Sequence, residues 1–269
     1  MKHILTSLLT MFLVALSLGA ASTKEKKPSW EKPDMKEIQK AVNDPSSKYF
    51  YPKLLRMFER NDTAMNLKQF RHLYLGYVFQ EDYNPYRRSE YSSMVEDLYY
   101  RGKHTPAECD TIIKYAELSL KDDPFDLRQM TFLIYAYREK QKNHLASIWQ
   151  YKLNHLLEAI LSTGNGLKPE NAWIVTNPQH EYNLINFHDY IAESHEDAPP
   201  HYDYIAIKPK NDKDPKGFYF DVLYVLSEYN RKFPEETADE QQEKASPADD
   251  NGSSENEPAP GNSGNSTPQ

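Results

Sequence analysis

Apolar residues recur at helical spacing through most of residues 34–164. Met35, Ile38 and Val42 follow Asp34, a residue type that caps helices, and Asn43-Asp44-Pro45 ends the stripe. Tyr51, Leu54, Leu55 and Phe58 predict a second helix with Pro52 in its first turn. Phe70, Leu73, Tyr74, Tyr77 and Val78 fall at i, i+3, i+4, i+7 and i+8, one face of a third. Gly76 interrupts that face at a cost of about 1 kcal/mol relative to Ala, which close approach of another backbone would offset. A fourth helix runs from Ser89 to Gly102, with Tyr91, Met94, Val95, Leu98 and Tyr99 on one face. Thr105-Pro106-Ala107-Glu108 is a capping box with proline at the first helical position. The helix behind it buries Cys109, Ile112, Ile113, Ala116 and Leu120 and breaks at Asp122-Asp123-Pro124. Two more follow over about 126–141 and 144–162, closed by Gly164 and Gly166. Short turns predict antiparallel packing of neighbours.

The pattern changes near Ala172. Residues 173–176, 181–187, 202–207 and 218–223 read as short strands, with Asn177-Pro178 and the polar segment 209–217 among the turns. Helices first and strands afterwards predict an α+β domain over 34–234. Its helical part spans 34–164, and its strand-rich part, 170–234, forms a small antiparallel sheet.

Composition changes the picture at the two ends. Residues 1–21 read as a secretory signal peptide, with Lys2, an apolar stretch over 4–18 and small residues near Ala21. That stretch is shorter than the ~20 residues a membrane span needs. The expectation is an exported protein, periplasmic or secreted, with no transmembrane span in the mature chain. Residues 22–33 read as a linker. Residues 235–269 hold no aromatic residue and no apolar type but alanine, the composition of a disordered acidic tail. The tail has nine acidic residues against Lys244, which accounts for the whole net charge of −8. The folded part is therefore neutral overall and has no basic stripe, which argues against a nucleic-acid partner. The single cysteine, Cys109, excludes an intramolecular disulfide. With 20 Tyr, 11 Phe and 3 Trp, the core is aromatic.

Three groups of residues bear on chemistry. Tyr83 and Tyr86 flank Pro85, and Arg87 and Arg88 follow. Tyrosine and arginine favour binding surfaces, so this loop is a candidate site for an envelope protein, a peptide or a glycan. The plainer reading is that these rings pin the loop onto the next helix. His180, His188, His195 and His201 lie within 22 residues, with Glu181, Asp189, Glu193, Glu196, Asp197 and Asp203 interspersed. A zinc site on His188, His195 and His201 would make the protein a metal-assisted hydrolase. No His-Glu-x-x-His is present, and Pro199-Pro200 places 195–201 in a loop, so solvated histidines are the plainer reading. Cys109 reads as a nucleophile in the first turns of its helix or, on the apolar face, as a small hydrophobe. No phosphate-cradling glycine loop and no Gly-x-Ser-x-Gly elbow is present, and no cofactor is implied.

The helical part resembles tetratricopeptide-type helix pairs, with Leu73-Tyr74-Leu75-Gly76-Tyr77 like a first helix and 115–124 like the end of a repeat. Ala136 lies 60 positions after Gly76, no multiple of the ~34-residue period, so the likeness is one of packing style. Over roughly 49–233 the chain resembles an uncharacterised secreted bacterial family, the domain of unknown function 4919. The residues that carry this are Leu73-Tyr74-Leu75-Gly76-Tyr77, Tyr83-Asn84-Pro85-Tyr86, Glu181-Tyr182-Asn183 and Tyr219-Phe220-Asp221-Val222. The resemblance implies a signal peptide and an α+β domain, and no activity. The expectation is a non-catalytic cell-envelope interaction or ligand-binding module. A metal-assisted hydrolase and a purely structural envelope protein are the alternatives.

Overall fold

The computed structural model describes residues 30–234. The expected signal peptide, most of the linker and the acidic tail lie outside the described residues. The fold is α+β, with nine α-helices and one four-stranded sheet among the described residues.

Seven helices come first. Helix α1 (Met35–Asn43) is capped by Asp34, whose carboxylate accepts from the Lys36 and Glu37 amides. Helices α2 (Tyr51–Glu59) and α3 (Leu67–Gly76) follow, the latter opened by a capping box between Asn66 and Gln69. Helix α4 covers Ser92–Tyr99. Helix α5 (Pro106–Asp122) starts at the Thr105–Glu108 box, and α6 (Leu127–Glu139) is capped by Asp126. Helix α7 covers Asn143–Leu161. Helices α4 to α7 pack each against the next, and α3 lies against α1, α2 and α7. The α3 stripe is central to this packing: Phe70, Leu73, Tyr74 and Val78 are all buried. A Cβ at Gly76 would lie 2.6 Å from Val42 Cγ1. The close neighbour that needs glycine there is thus a side chain of α1 and no backbone. Cys109 is buried on α5, and burial pushes its thiol pKa up, which makes it a core residue.

The sheet contains β1 (Trp173–Ile174), β2 (Ala192–Ala198), β3 (Tyr202–Ile207) and β4 (Gly217–Asp221) in the order β1-β4-β3-β2. Strands β2, β3 and β4 pair antiparallel, but β1 runs parallel to β4, so the sheet is mixed. Ile205, Ile207, Phe218 and Phe220 share one core with Leu184, Leu156 and Ile160.

The parallel β1–β4 pairing corrects the expected antiparallel sheet, and the strand-rich part departs from the sequence reading in three further places. Residues 181–187 are helical, within α8 (Gln179–Phe187). The Asn177 side chain accepts from the Gln179 amide at the start of the helix. The buried residues His180, Glu181, Leu184 and Ile185 recur at helical spacing, whereas alternation would have put buried Leu184 beside exposed Tyr182. Residues 192–198, expected to hold a loop from His195 onward, form β2. This strand lies at the sheet edge and is almost wholly polar, as exposed edges commonly are, so it carries no apolar alternation. Pro199 and Pro200 occupy only the turn to β3. A further helix, α9 (Leu223–Lys232), follows β4, with Val225 its one fully buried residue. No helix among the described residues is long and apolar enough to cross a membrane.

Candidate functional site

Helix α8 begins with two buried polar residues, His180 (2% exposed) and Glu181 (1%). His180 Nε2 lies 3.0 Å from the Phe125 carbonyl, which only accepts, so this nitrogen carries the proton. Nδ1 therefore accepts from the Tyr74 hydroxyl at 2.7 Å. The same hydroxyl accepts from the Thr176 amide at 3.1 Å, and the Tyr83 hydroxyl donates to the Thr176 carbonyl at 2.8 Å. This relay ties α3 and its exit loop to the segment after β1, to α8 and to the α5–α6 turn. Both imidazole nitrogens are engaged. Burial holds the ring neutral and lowers its pKa to about 4.

Tyr83, expected at a binding surface, is a brace inside the protein. Its ring is 1% exposed, and Lys232 of α9 donates to its carbonyl at 3.2 Å. The chain surfaces just beyond it. Tyr86 is 50% exposed, edge-on to Tyr229 with ring centroids 4.8 Å apart. Arg87 is committed to the backbone, donating to the carbonyls of Asp82 (2.6 Å) and Asp122 (3.4 Å). Arg88 is exposed and has neither a hydrogen bond nor an ion pair among the described residues.

Arg87 and Arg88 line a cleft of about 320 Å³. Its walls include Asp123 and Asp126 from the α5–α6 connection, Glu90 just before α4, Ser93 in its first turn, and Gln179 and Asn183 from α8. No aromatic side chain lines it except the imidazole of His180. Asp126 is spent on capping α6, accepting from the Arg128 and Gln129 amides at 3.0 Å. Asp123 accepts from the Phe125 amide at 3.1 Å. Burial, and then the neighbouring Asp126 carboxylate, push Asp123 up to about 7. The helix ends at Asp122, Asp123 is its C-cap and the turn lies at Pro124 and Phe125, and the Asp123 carboxyl lines a cleft that the sequence does not reveal. Such a carboxyl changes charge near neutrality and marks a candidate ligand contact.

On the other side of α8, Glu181 meets the sheet. One ligand-type atom each of Glu181, His195 and Asp203 lie within 4.8 Å of one another, and His195 Nε2 is 3.5 Å from Asp203 Oδ2. His195 pairs with Ile205, and Asp203 sits two places from Ile205, so the two side chains share a sheet face. Glu181 Oε1 is buried and receives no hydrogen bond. Burial, and then Asp203, push the Glu181 pKa well above the carboxylate range. This is the one such group of three or more found among the described residues.

The expected trio of His188, His195 and His201 does not assemble. His188 stacks on Trp173, with ring centroids 5.7 Å apart, and His201 lies 3.9 Å from Asp221. Of the three, only His195 stands with two other possible ligands among the described residues, and these are carboxylates. Glu181 and Asp203 stood among the interspersed acids in the sequence, but nothing there distinguished them from Glu193 or Asp197.

The protein-family model for Domain of unknown function (DUF4919) matches residues 36–231. No curated protein and no solved structure matches the chain.

Proposed function

The chain belongs to the DUF4919 family, and we propose that it is an exported, non-catalytic ligand-binding module of the cell envelope. Its ligand is a peptide segment with a carboxylate end, held in the cleft beside Arg88. The observation that carries this reading is the Arg88 guanidinium, exposed and uncommitted at the rim of a polar cleft. A free guanidinium fork matches a carboxylate with two parallel hydrogen bonds. It has no accessible neutral form for proton transfer, which favours recognition over turnover. The amides of Gln179 and Asn183 both donate and accept, as a peptide backbone requires. The volume is at the small end of the ~300–1,000 Å³ range of ligand sites, enough for a chain end and too small for a folded domain. With no Tyr, Trp or Phe in its walls, the cleft gives a sugar ring no such face to stack on, so a peptide suits it better than a glycan.

Titration calorimetry with short peptides tests this. Peptides with a free C-terminal carboxylate should bind the wild type, and amidation or Arg88→Glu should each weaken them about tenfold or more, the scale of a lost charged hydrogen bond. Equal binding by the wild type and Arg88→Glu, or a preference for neutral oligosaccharides, would contradict the reading. Export rests on the composition of residues 1–21, and N-terminal sequencing of the protein from cell fractions checks it. The expected mature start is near Ser22, and an intact Met1 in the cytosol would contradict it.

A further inference from the structure

We propose that Glu181, His195 and Asp203 form a binding site for one divalent transition-metal ion, with zinc the ion that suits the donors best. The three residues come from α8, β2 and β3, and each is held from behind. The β2–β3 ladder fixes His195 and Asp203 on one face. His180, bonded at both ring nitrogens, pins the first turn of α8 and so fixes where Glu181 stands. A site built on such elements is preorganised.

The spacing suits a metal. Bonds of ~2.0–2.2 Å in tetrahedral geometry put ligand atoms about 3.3–3.5 Å apart. His195 Nε2 and Asp203 Oδ2 are already at 3.5 Å, and all three donors lie within 4.8 Å, a gap that small side-chain rotations close. Charge points the same way. Two carboxyl groups face each other, and among the described residues neither has a lysine or arginine ion-pair partner and one buried oxygen, Glu181 Oε1, has no donor. Buried polar atoms are rarely left unsatisfied, and a cation would engage this one. One imidazole and two carboxylates are zinc ligands; calcium prefers six to eight oxygens and Cu(I) prefers sulfur. The His195 side chain is 41% exposed, so the ion has a path from solvent, and water completes its coordination.

The test uses tag-free, full-length protein freed of metal with chelator, titrated with Zn²⁺ by calorimetry at pH 7. One ion per chain is expected. Affinity should fall tenfold or more in His195→Ala and in Asp203→Asn, and should be unchanged in His201→Ala. Co²⁺ should give the intense visible absorption of a four-coordinate site in the wild type and not in His195→Ala. Because His195 lies on an exposed edge strand, His195→Ala should melt as the wild type does without metal, which separates a lost site from a lost fold. Absence of stoichiometric Zn²⁺ binding overturns the proposal, as does binding that survives His195→Ala or disappears in His201→Ala.

Discussion

His180 and Glu181 are consecutive, both buried, and their surroundings are opposite. Each His180 nitrogen has a hydrogen-bond partner, and the partners belong to a relay that reaches Tyr74, Thr176 and Tyr83. Glu181 faces another carboxyl group, and its Oε1 has no donor. Hydrogen bonding offsets the cost of burying a polar group, so the histidine side of α8 holds the two parts of the fold together. The glutamate side leaves that cost standing. Arg88 repeats the contrast at the surface, since Arg87 beside it is bonded to two carbonyls and Arg88 to nothing among the described residues. At these two places, unsatisfied polar groups stand beside satisfied ones, and the unsatisfied ones mark the candidate sites.

The largest expected effect is on the satisfied side. Tyr74→Phe keeps the ring but strips His180 Nδ1 of its donor and the Thr176 amide of its acceptor. Two buried groups left unpaired should cost about 2–5 kcal/mol. At ~2–4 °C per kcal/mol for a domain of this size, the melting temperature should fall by roughly 5–15 °C. A fall below about 2 °C would show that the relay is incidental. Tyr83→Phe removes one bond from the same relay and should cost about 1–2 kcal/mol. Peptide binding beside Arg88 should be unchanged in Tyr83→Phe, as measured by calorimetry. A loss of binding there would return Tyr83 to the site.

Asp123 sharpens the comparison through pH. Its pKa of about 7 lies above the unfolded value near 3.9, so folding takes up a proton between those limits. Its contribution therefore weakens as pH rises from about 4 to 7. His180, held near 4 against about 6.5 unfolded, acts oppositely and weakens the fold as pH falls through much the same window. The two offset each other in the wild type, so the informative quantity is a difference. Asp123→Asn should melt close to the wild type at pH 4 and a few degrees above it at pH 8. A difference that is flat with pH would mean Asp123 is ionised throughout.

The scaffold was largely legible in the sequence, because its signals are local. Asp34, Asn66, Thr105 and Asp126 cap their helices within three residues, and the stripe on α3 lies within nine. Of these caps, Asn66 and Asp126 were not singled out in the sequence reading. The sites were not legible, because what separates them from scaffold is long-range. Tyr83 and Tyr86 look alike beside Pro85, and the partners that separate them include Thr176, 93 positions from Tyr83, and Lys232. Glu181, His195 and Asp203 meet only once α8 is helical and β2 pairs with β3. Residues 181–187 gave a false strand alternation, and β2 had no apolar pattern. Arg87 and Arg88 were legible as a pair, but only the carbonyls of Asp82 and Asp122 tell them apart.

The smallest expected effect is also the most direct test. Glu181→Gln keeps the shape of the side chain and replaces a carboxyl group held out of the carboxylate range by an amide that can donate to Asp203. Its melting temperature in metal-free buffer at pH 7 should equal or slightly exceed that of the wild type. A fall of the size expected for Tyr74→Phe would mean that Glu181 is a satisfied structural residue, and the distinction between the two sides of α8 would not stand.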